Sequence, residues 1–291
     1  MTRPPFLFRR SPAEGLDLTG KDRASFLQGL CTNDVKALSP GSFLWAAALS
    51  PVGKVLFPFR VARREDRLSL FLSGSMAAGA AAHFRKYAVF QDARVAEWPA
   101  MMRFDFFGGL PSDPAPEGAE LWPAFFEVAG TWTTSAASAD AIERSLSTLA
   151  RPIEPEEAEA LRIEAGRPEP GREIDATRTP DEAGLSEAIS TTKGCYVGQE
   201  IVARLRTSGR LPRRLVRLRF DGAETPPLPS ELHRSGDPSS SAGWVTSAAL
   251  SVRTGAVVGL GFAARDVEDG ATVEIRSAPH LRATIERIER R

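Results

Sequence analysis

The stretch T-K-G-C-Y-V-G-Q-E at residues 192–200 decides the assignment of the fold. Only five of the 37 basic residues are lysines, and Lys193 stands two positions before Cys195, one of two cysteines in the chain. Gly194 and Gly198 free the backbone on both sides of this cysteine. We therefore expect a tight loop whose backbone can approach a ligand.

The residues alone leave two interpretations of Cys195 open. Glu200 and Arg204 form an i,i+4 acid–base pair, which indicates a helical turn after the loop. A helix start and a nearby lysine both favour the thiolate form of a cysteine, which would make Cys195 a functional thiol. In the alternative interpretation Cys195 is a small buried hydrophobic residue beside a glycine turn, as free cysteines usually are.

Composition excludes several classes of protein. The 291 residues suggest about two domains at roughly 100–200 residues each. The 37 basic residues balance 37 acidic ones, so no net charge attracts the chain to nucleic acid or a membrane. Two cysteines are fewer than the roughly four thiolates of a resident iron–sulfur cluster, and the three histidines are scattered along the chain, so we expect neither a cluster nor a structural zinc site. The sequence has no membrane-span pattern or secretion signal, which predicts a soluble cytoplasmic protein.

Hydrophobic patterning predicts an α+β region followed by a strand-rich region. Helices are predicted at residues 21–30, 75–87, 139–149 and 155–165, and strands at 43–49, 55–61 and 68–72. Because strands and helices are segregated along the first hundred residues, an α+β fold is favoured over a doubly wound sheet. Residues 167–192 are predicted to be mostly irregular. After about residue 210, five or six short strands indicate a small β-barrel or a sandwich.

A run of seven arginines without an acid lies between residues 201 and 219. Such a run could receive an anion, either a polyglutamate tail or a phosphate backbone. Alternatively, Arg217 and Arg219 are the solvent face of a strand, since they alternate with Val216 and Leu218.

Glu164 stands among apolar residues of a predicted helix, between Ile163 and Ala165. A half-buried carboxylate can accept paired hydrogen bonds from a guanidine-like edge of a ligand. The alternative is a surface pair with Arg167.

The stretch K-G-C-Y-V-G-Q-E at residues 193–200 resembles the hallmark of the YgfZ-type folate-binding proteins, relatives of the glycine-cleavage aminomethyltransferase. Further matching segments follow the family's order along nearly the whole chain: F-L-Q-G at 26–29, T-N-D at 32–34, S-P-V-G-K at 50–54 and L-R-I-E-A-G-R-P at 161–168. The resemblance therefore rests on one specific motif and several supporting ones.

The resemblance implies an α+β fold with two parts. Residues 1–208 would form an aminomethyltransferase-like folate-binding body of two interleaved α+β subdomains, with residues 45–138 as the inserted part. Residues 209–291 would form a C-terminal antiparallel β-barrel. The implied function is assembly or repair of iron–sulfur clusters, dependent on tetrahydrofolate, in client enzymes that include tRNA-modifying ones.

The resemblance also implies site residues and partners. Glu164 would pair with the pterin ring, Lys193 would approach the folate, and Cys195 would be the functional thiol. The remaining implied folate contacts are Tyr196, Gln199, Glu200 and Arg204. The implied partners are folate, the iron–sulfur assembly machinery and client enzymes. Direct binding to nucleic acid or to a membrane is not implied, and the protein would be a monomer.

One position departs from the aminomethyltransferases. Their catalytic aspartate lies in the hairpin that corresponds to residues 50–61, where this chain has Phe57 and Pro58. A phenylalanine cannot assist amine chemistry, so glycine-cleavage activity is not expected. The alternatives to an accessory role are a folate-dependent one-carbon transferase with Cys195 as nucleophile or base, and a nucleic-acid-binding protein that uses the arginine run.

Overall fold

The structure is a computed structural model that describes residues 6–73, 75–110, 115–125, 128–147 and 149–288. The chain divides into two compact units. The first comprises Met1–Ile153 and Ser186–Gln199, and the second comprises Glu154–Leu185 and Glu200–Arg291.

The first unit is built on a large sheet in which the long strand β1 is central. The strands are β1 (Phe6–Thr19), β2 (Phe43–Leu49), β3 (Val55–Arg63), β4 (Leu68–Leu72), β5 (Arg94–Glu97), β6 (Met101–Phe107), β7 (Ala119–Phe125), β8 (Val128–Ser135) and β9 (Ala150–Pro152). Their order is β2-β3-β4-β1-β6-β8-β7, with β5 and β9 also paired to β1. Only the β1–β9 pair is parallel among the pairings described.

Two helices, α1 (Arg23–Leu30) and α2 (Ala77–Tyr87), cover one part of this sheet. Leu16 and Leu18 alternate along β1 and are fully buried. They share a core with Phe26 of α1 and Phe84 of α2. A third helix, α3 (Ala139–Leu146), places Ile142 and Leu146 in a second core with aromatic residues of β6.

The second unit contains a closed barrel of six antiparallel strands. These are β10 (Arg213–Phe220), β11 (Ser230–Arg234), β12 (Asp237–Leu250), β13 (Val257–Ala264), β14 (Thr272–Ile275) and β15 (Ala278–Arg287), arranged in the order β10-β13-β12-β11-β14-β15. The barrel closes because β15 pairs with β10. Val216 and Leu218 point into its core, and the alternating Arg217 and Arg219 are more exposed.

Helix α4 (Pro155–Glu164) packs on the barrel, with Ile163 in one cluster with Val258 and Leu260 of β13. Helix α5 is Gln199–Ser208. The predicted domain boundary at 208/209 falls between α5 and β10, yet residues 154–185 and 200–208 belong to the unit that contains the barrel. Residues 45–138 lie in the same unit as the residues before them. The subdivision of the folate-binding body therefore stays a prediction.

The predicted fold class, α+β with a C-terminal barrel, is confirmed, and the barrel replaces the sandwich alternative. Residues 167–192 are mostly irregular, as predicted, apart from a short 3-10 helix at Ser186–Ala188. In the first unit, the prediction missed β1 and every strand from β5 to β9. In β1, Pro12 and Gly15 interrupt the apolar alternation that would have marked a strand. Within the described ranges, no helix is both long and apolar enough to cross a membrane.

Candidate functional site

The loop at residues 193–198 lies against two other segments of the first unit. The Val197 amide donates to the carbonyl oxygen of Gly29 at the end of α1, at 3.3 Å. Gly198 has a positive φ of 81°, and a Cβ built on it would lie 2.6 Å from the carbonyl oxygen of Ser50 in the β2–β3 turn. Only glycine fits here. The structure therefore brings together three motifs that are far apart in sequence, at residues 26–34, 50–54 and 193–198.

Lys193 fixes this arrangement through its ammonium group. Nζ donates to the carbonyl oxygens of Gln28 at 2.6 Å, Cys31 at 2.7 Å and Asn33 at 3.0 Å. The residue is only 8% exposed. Burial lowers the pKa of Lys193, although Cys31 and Asp34 oppose that shift. Because an ammonium has three N–H groups, all of them are engaged by the protein.

The turn after α1 connects this lysine to the sheet. Thr32 is fully buried; its hydroxyl donates to the carbonyl oxygen of Ala188 at 2.5 Å and accepts from the Ala47 amide at 2.9 Å. The side-chain amide of Asn33 donates to the carbonyl oxygens of Trp45 at 2.7 Å and Glu187 at 3.2 Å. The segment that leads into the loop is thus hydrogen-bonded to β2 through two polar residues.

The two cysteines have opposite environments. Cys195 is exposed, and Cys31 is fully buried in the core of the first unit. The interpretation of Cys195 as a buried hydrophobic residue is therefore wrong, whereas a packing role fits Cys31. Burial raises the pKa of the Cys31 thiol to about 11, an effect that the nearby Lys193 charge partly opposes.

Two predicted contacts flank the end of the loop. The Tyr196 amide donates to Oε1 of Gln199, and the Gln199 amide donates back to the Tyr196 carbonyl, each at 3.2 Å. The Tyr196 ring centroid lies 5.0 Å from Nζ of Lys193, a cation–π distance. Glu200 and Arg204 belong to the second unit and are exposed on α5.

Glu164 is the last residue of helix α4 in the second unit, and its side chain is 13% exposed. Its Oε1 accepts from the Ser251 hydroxyl at 2.5 Å, and its Oε2 lies 3.0 Å from Nη2 of Arg253. The inward orientation predicted for this carboxylate is confirmed, and its cationic partner is Arg253 instead of Arg167. Sequence reasoning missed Ser251 and Arg253 because they lie more than 80 residues away and carry no motif.

Most of the arginine run has acidic partners from other parts of the second unit. Arg206 forms a two-point pair with Asp181, at 2.9 Å for both contacts. Further pairs join Arg214 to Asp269, and Arg217 and Arg219 to Glu286. This pairing agrees with the interpretation of Arg217 and Arg219 as an outer strand face.

The two residues that the resemblance matches to the aminomethyltransferase acid, Phe57 and Pro58, are packing residues in the structure. Phe57 lies on β3, with its ring centroid 5.6 Å from that of His83 on α2, and Pro58 is buried. Burial lowers the pKa of His83, and the charge of Lys86 adds to that shift. Neither Phe57 nor Pro58 carries a group that can transfer a proton.

In the part of the chain that the structure describes, no group of three or more His, Cys, Asp or Glu side chains could hold a metal ion.

Comparisons with known proteins agree with the resemblance. No protein-family model matches the chain. It is 29% identical over 234 residues to the tRNA-modifying protein YgfZ of Enterobacter sp. (strain 638), which covers 74% of this chain and 72% of that protein. Identity is 28% to the tRNA-modifying protein YgfZ of Yersinia pseudotuberculosis serotype O:1b (strain IP 31758), over 74% and 71%.

Among solved structures, the glycine cleavage system aminomethyltransferase T from Bartonella henselae has a TM-score of 0.85 to this chain. The match covers 99% of this chain and 86% of that one, at 17% sequence identity. At that identity the likeness establishes the fold alone. The fold is aminomethyltransferase-like.

We predict that iodoacetamide alkylates Cys195 at least a hundredfold faster than Cys31 in the native protein at pH 7. Cys195 is exposed, whereas a buried thiol with a pKa of about 11 is thiolate in roughly one molecule in ten thousand at that pH. Peptide mass spectrometry after timed quenching measures both sites, and a urea-unfolded sample gives the reference rates. Equal rates in the native protein would contradict the assigned environments.

We also predict no aminomethyl transfer from a lipoylated carrier protein, because Phe57 and Pro58 occupy the position of the catalytic acid. Folate-dependent release of ammonia from the loaded carrier is the measurement, with a glycine-cleavage aminomethyltransferase as positive control. Ammonia release above the enzyme-free background would overturn the prediction.

Proposed function

Because the chain belongs to the family of YgfZ-type and aminomethyltransferase-like proteins, we propose that it is a tetrahydrofolate-binding accessory protein for iron–sulfur enzymes. It would support assembly or repair of clusters in client enzymes, including enzymes that modify tRNA. We propose that it acts in the cytoplasm as a monomer, with the cluster-assembly machinery and the client enzymes as partners. The relatives named tRNA-modifying proteins support the tRNA context.

The observation that carries the proposal is an exposed thiol on an anchored loop. Cys195 is exposed, while Lys193 before it and Val197 after it are hydrogen-bonded to carbonyl oxygens of α1, and Gly198 lies against the β2–β3 turn. A structural cysteine would be expected in the core, as Cys31 is. An exposed cysteine held by a fixed backbone suits a role in chemistry with a client, whose sulfur, iron or cluster would be the substrate.

The carboxylate of Glu164 has the acceptors that the donor edge of a pterin ring requires. The 2-amino and N3 groups of the ring are donors, and a carboxylate accepts from such an edge through both oxygens. Ser251 and Arg253 each occupy one oxygen of Glu164, which leaves an acceptor position on both. Arg253 is 76% exposed, so its ion pair is weak and can exchange for a ligand.

The other proposed folate contacts differ in what they offer. Tyr196 supplies a half-buried aromatic surface, and Gln199 a half-buried amide that already accepts from the Tyr196 backbone. Glu200 and Arg204 are exposed polar groups. The ammonium of Lys193 has no donor left for a folate in this conformation, since three carbonyl oxygens engage it.

Bound tetrahydrofolate would supply reduced nitrogen atoms that can capture a one-carbon unit. The protein's own contribution would be to hold the ring through Glu164 and to keep Cys195 accessible. The absence of an acid at Phe57 and Pro58 argues for this accessory role over transfer chemistry on an amine.

We predict that Glu164→Ala weakens tetrahydrofolate binding by roughly ten- to a hundredfold, because losing a charge-assisted hydrogen bond costs about 1.5–3 kcal/mol. Anaerobic isothermal titration calorimetry measures the affinity. Glu156→Ala is the matched control, since Glu156 is exposed on the first turn of the same helix. An unchanged affinity in the Glu164 variant would contradict the proposed pterin contact.

We predict that deletion of the gene lowers the activity of cluster-containing enzymes and the level of thiolated tRNA nucleosides, and that wild type restores both. Cys195→Ala and Cys195→Ser should fold normally yet fail to restore either, because an exposed loop thiol contributes little packing. Thr192→Ala, an exposed change in the same segment, is the control and should restore both.

Two outcomes of this complementation would count against the proposal. Full restoration by Cys195→Ala would remove the thiol from the function. Normal cluster enzymes in the deletion strain, together with turnover of one-carbon-loaded folate by the purified protein, would favour the transferase alternative.

A further inference from the structure

We propose that Lys193 is a positioning residue: its ammonium clamps the Cys195 loop onto the end of α1, and it acts on folate and clients only through that loop. The inference rests on the proposed function insofar as it assumes that the Cys195 loop matters. It deepens that function by assigning to Lys193 a role other than ligand contact.

The geometry of the ammonium supports the clamp. Three carbonyl oxygens, from Gln28, Cys31 and Asn33, lie within 2.6–3.0 Å of Nζ. An sp³ nitrogen with three rotatable N–H donors suits three acceptors that converge on one point, whereas a guanidinium presents its donors in one plane. In a chain whose basic residues are arginine at all but five positions, a lysine at this point agrees with that requirement.

The carbonyl end of α1 has no cation of its own. The helix stops at Leu30, and Cys31 after it is extended, with φ −131° and ψ 161°, so no glycine turn closes the last carbonyls. Its last turn carries no basic residue. The carbonyl end of a helix is the negative pole of its dipole, which a buried ammonium stabilises. Lys193, more than 160 residues later in the chain, supplies that charge.

The Lys193 clamp anchors one end of the short segment, residues 194–196, that carries Cys195. On the near side, the Lys193 ammonium donates to the Gln28 carbonyl of α1, and the Lys193 backbone amide donates to the Ser190 hydroxyl at 3.2 Å. On the far side, Val197 is bonded to Gly29 and Gly198 abuts Ser50. Only Gly194, Cys195 and Tyr196 lie between these anchors. Loss of the lysine anchor would release residues 194–196 while Val197 and Gly198 stay attached to Gly29 and Ser50.

Hydrogen exchange of the folate-free protein tests the clamp, because a lysine that only contacts folate would leave it unchanged. In Lys193→Met we expect amides of residues 194–196 to exchange at least tenfold faster, with the Val197 amide, which stays bonded to Gly29, and the barrel peptides unchanged. Lys193→Arg keeps the charge but presents its donors in one plane, and Lys193→Gln keeps two donors without the charge, so both should be intermediate between wild type and Lys193→Met. Lys86→Met, an exposed lysine of α2, is the control and should match wild type.

Native exchange of the loop in Lys193→Met, or in Lys193→Arg, would overturn the clamp. Unfolding of all three Lys193 variants would also overturn it, since the lysine would then support the whole unit and not the loop. These outcomes are separable from those of the proposed function. Faster loop exchange in Lys193→Met together with full complementation by Cys195→Ala would support the clamp and contradict the thiol function. Native loop exchange together with failed complementation by Cys195→Ala would support the thiol function and contradict the clamp.

Discussion

The contact between the Lys193 ammonium and three backbone carbonyl oxygens is the interaction on which the site depends. Burying a charge is costly unless hydrogen bonds replace its hydration, and here each N–H group has an acceptor within 3.0 Å. Through these three contacts, the Lys193 ammonium binds a carbonyl of α1 and two carbonyls of the turn after it, and it anchors the start of the Cys195 loop to both. Removing the ammonium would leave three carbonyl oxygens without their donor and the Cys195 loop without its anchor to α1.

This constraint explains why the two cysteines of the chain have different chemistry. Cys31 contributes its carbonyl to the clamp while its thiol packs in the core, where burial raises its pKa to about 11. Cys195 lies two residues beyond the clamped lysine and is exposed. The fold thus separates a packing thiol from an accessible one. The architecture is aminomethyltransferase-like, and Phe57 and Pro58, which the resemblance matches to the catalytic acid, carry no acidic group.

Sequence reasoning succeeded where the signal was local. Alternating residues identified β10, and apolar runs between turns identified β2 and β4 with their observed bounds. It failed for β1, whose Pro12 and Gly15 resemble breakers although the strand is paired on both sides. Composition marked Lys193 as unusual, yet its acceptors are backbone carbonyls about 160 residues earlier, which no side-chain pattern can indicate. The same holds for Ser251 and Arg253 beside Glu164.

The most direct test of the account is the ammonium resonance of Lys193. Selective ¹⁵N-lysine labelling gives at most five ammonium signals, because the chain has five lysines, and Lys193→Met assigns the relevant one. We expect the Lys193 signal to exchange slowly with water, in contrast to the exposed Lys21, Lys36 and Lys86, and to stay in place when tetrahydrofolate is added. Rapid exchange, or a large shift on addition of tetrahydrofolate, would show that the ammonium faces solvent or ligand and would contradict the account.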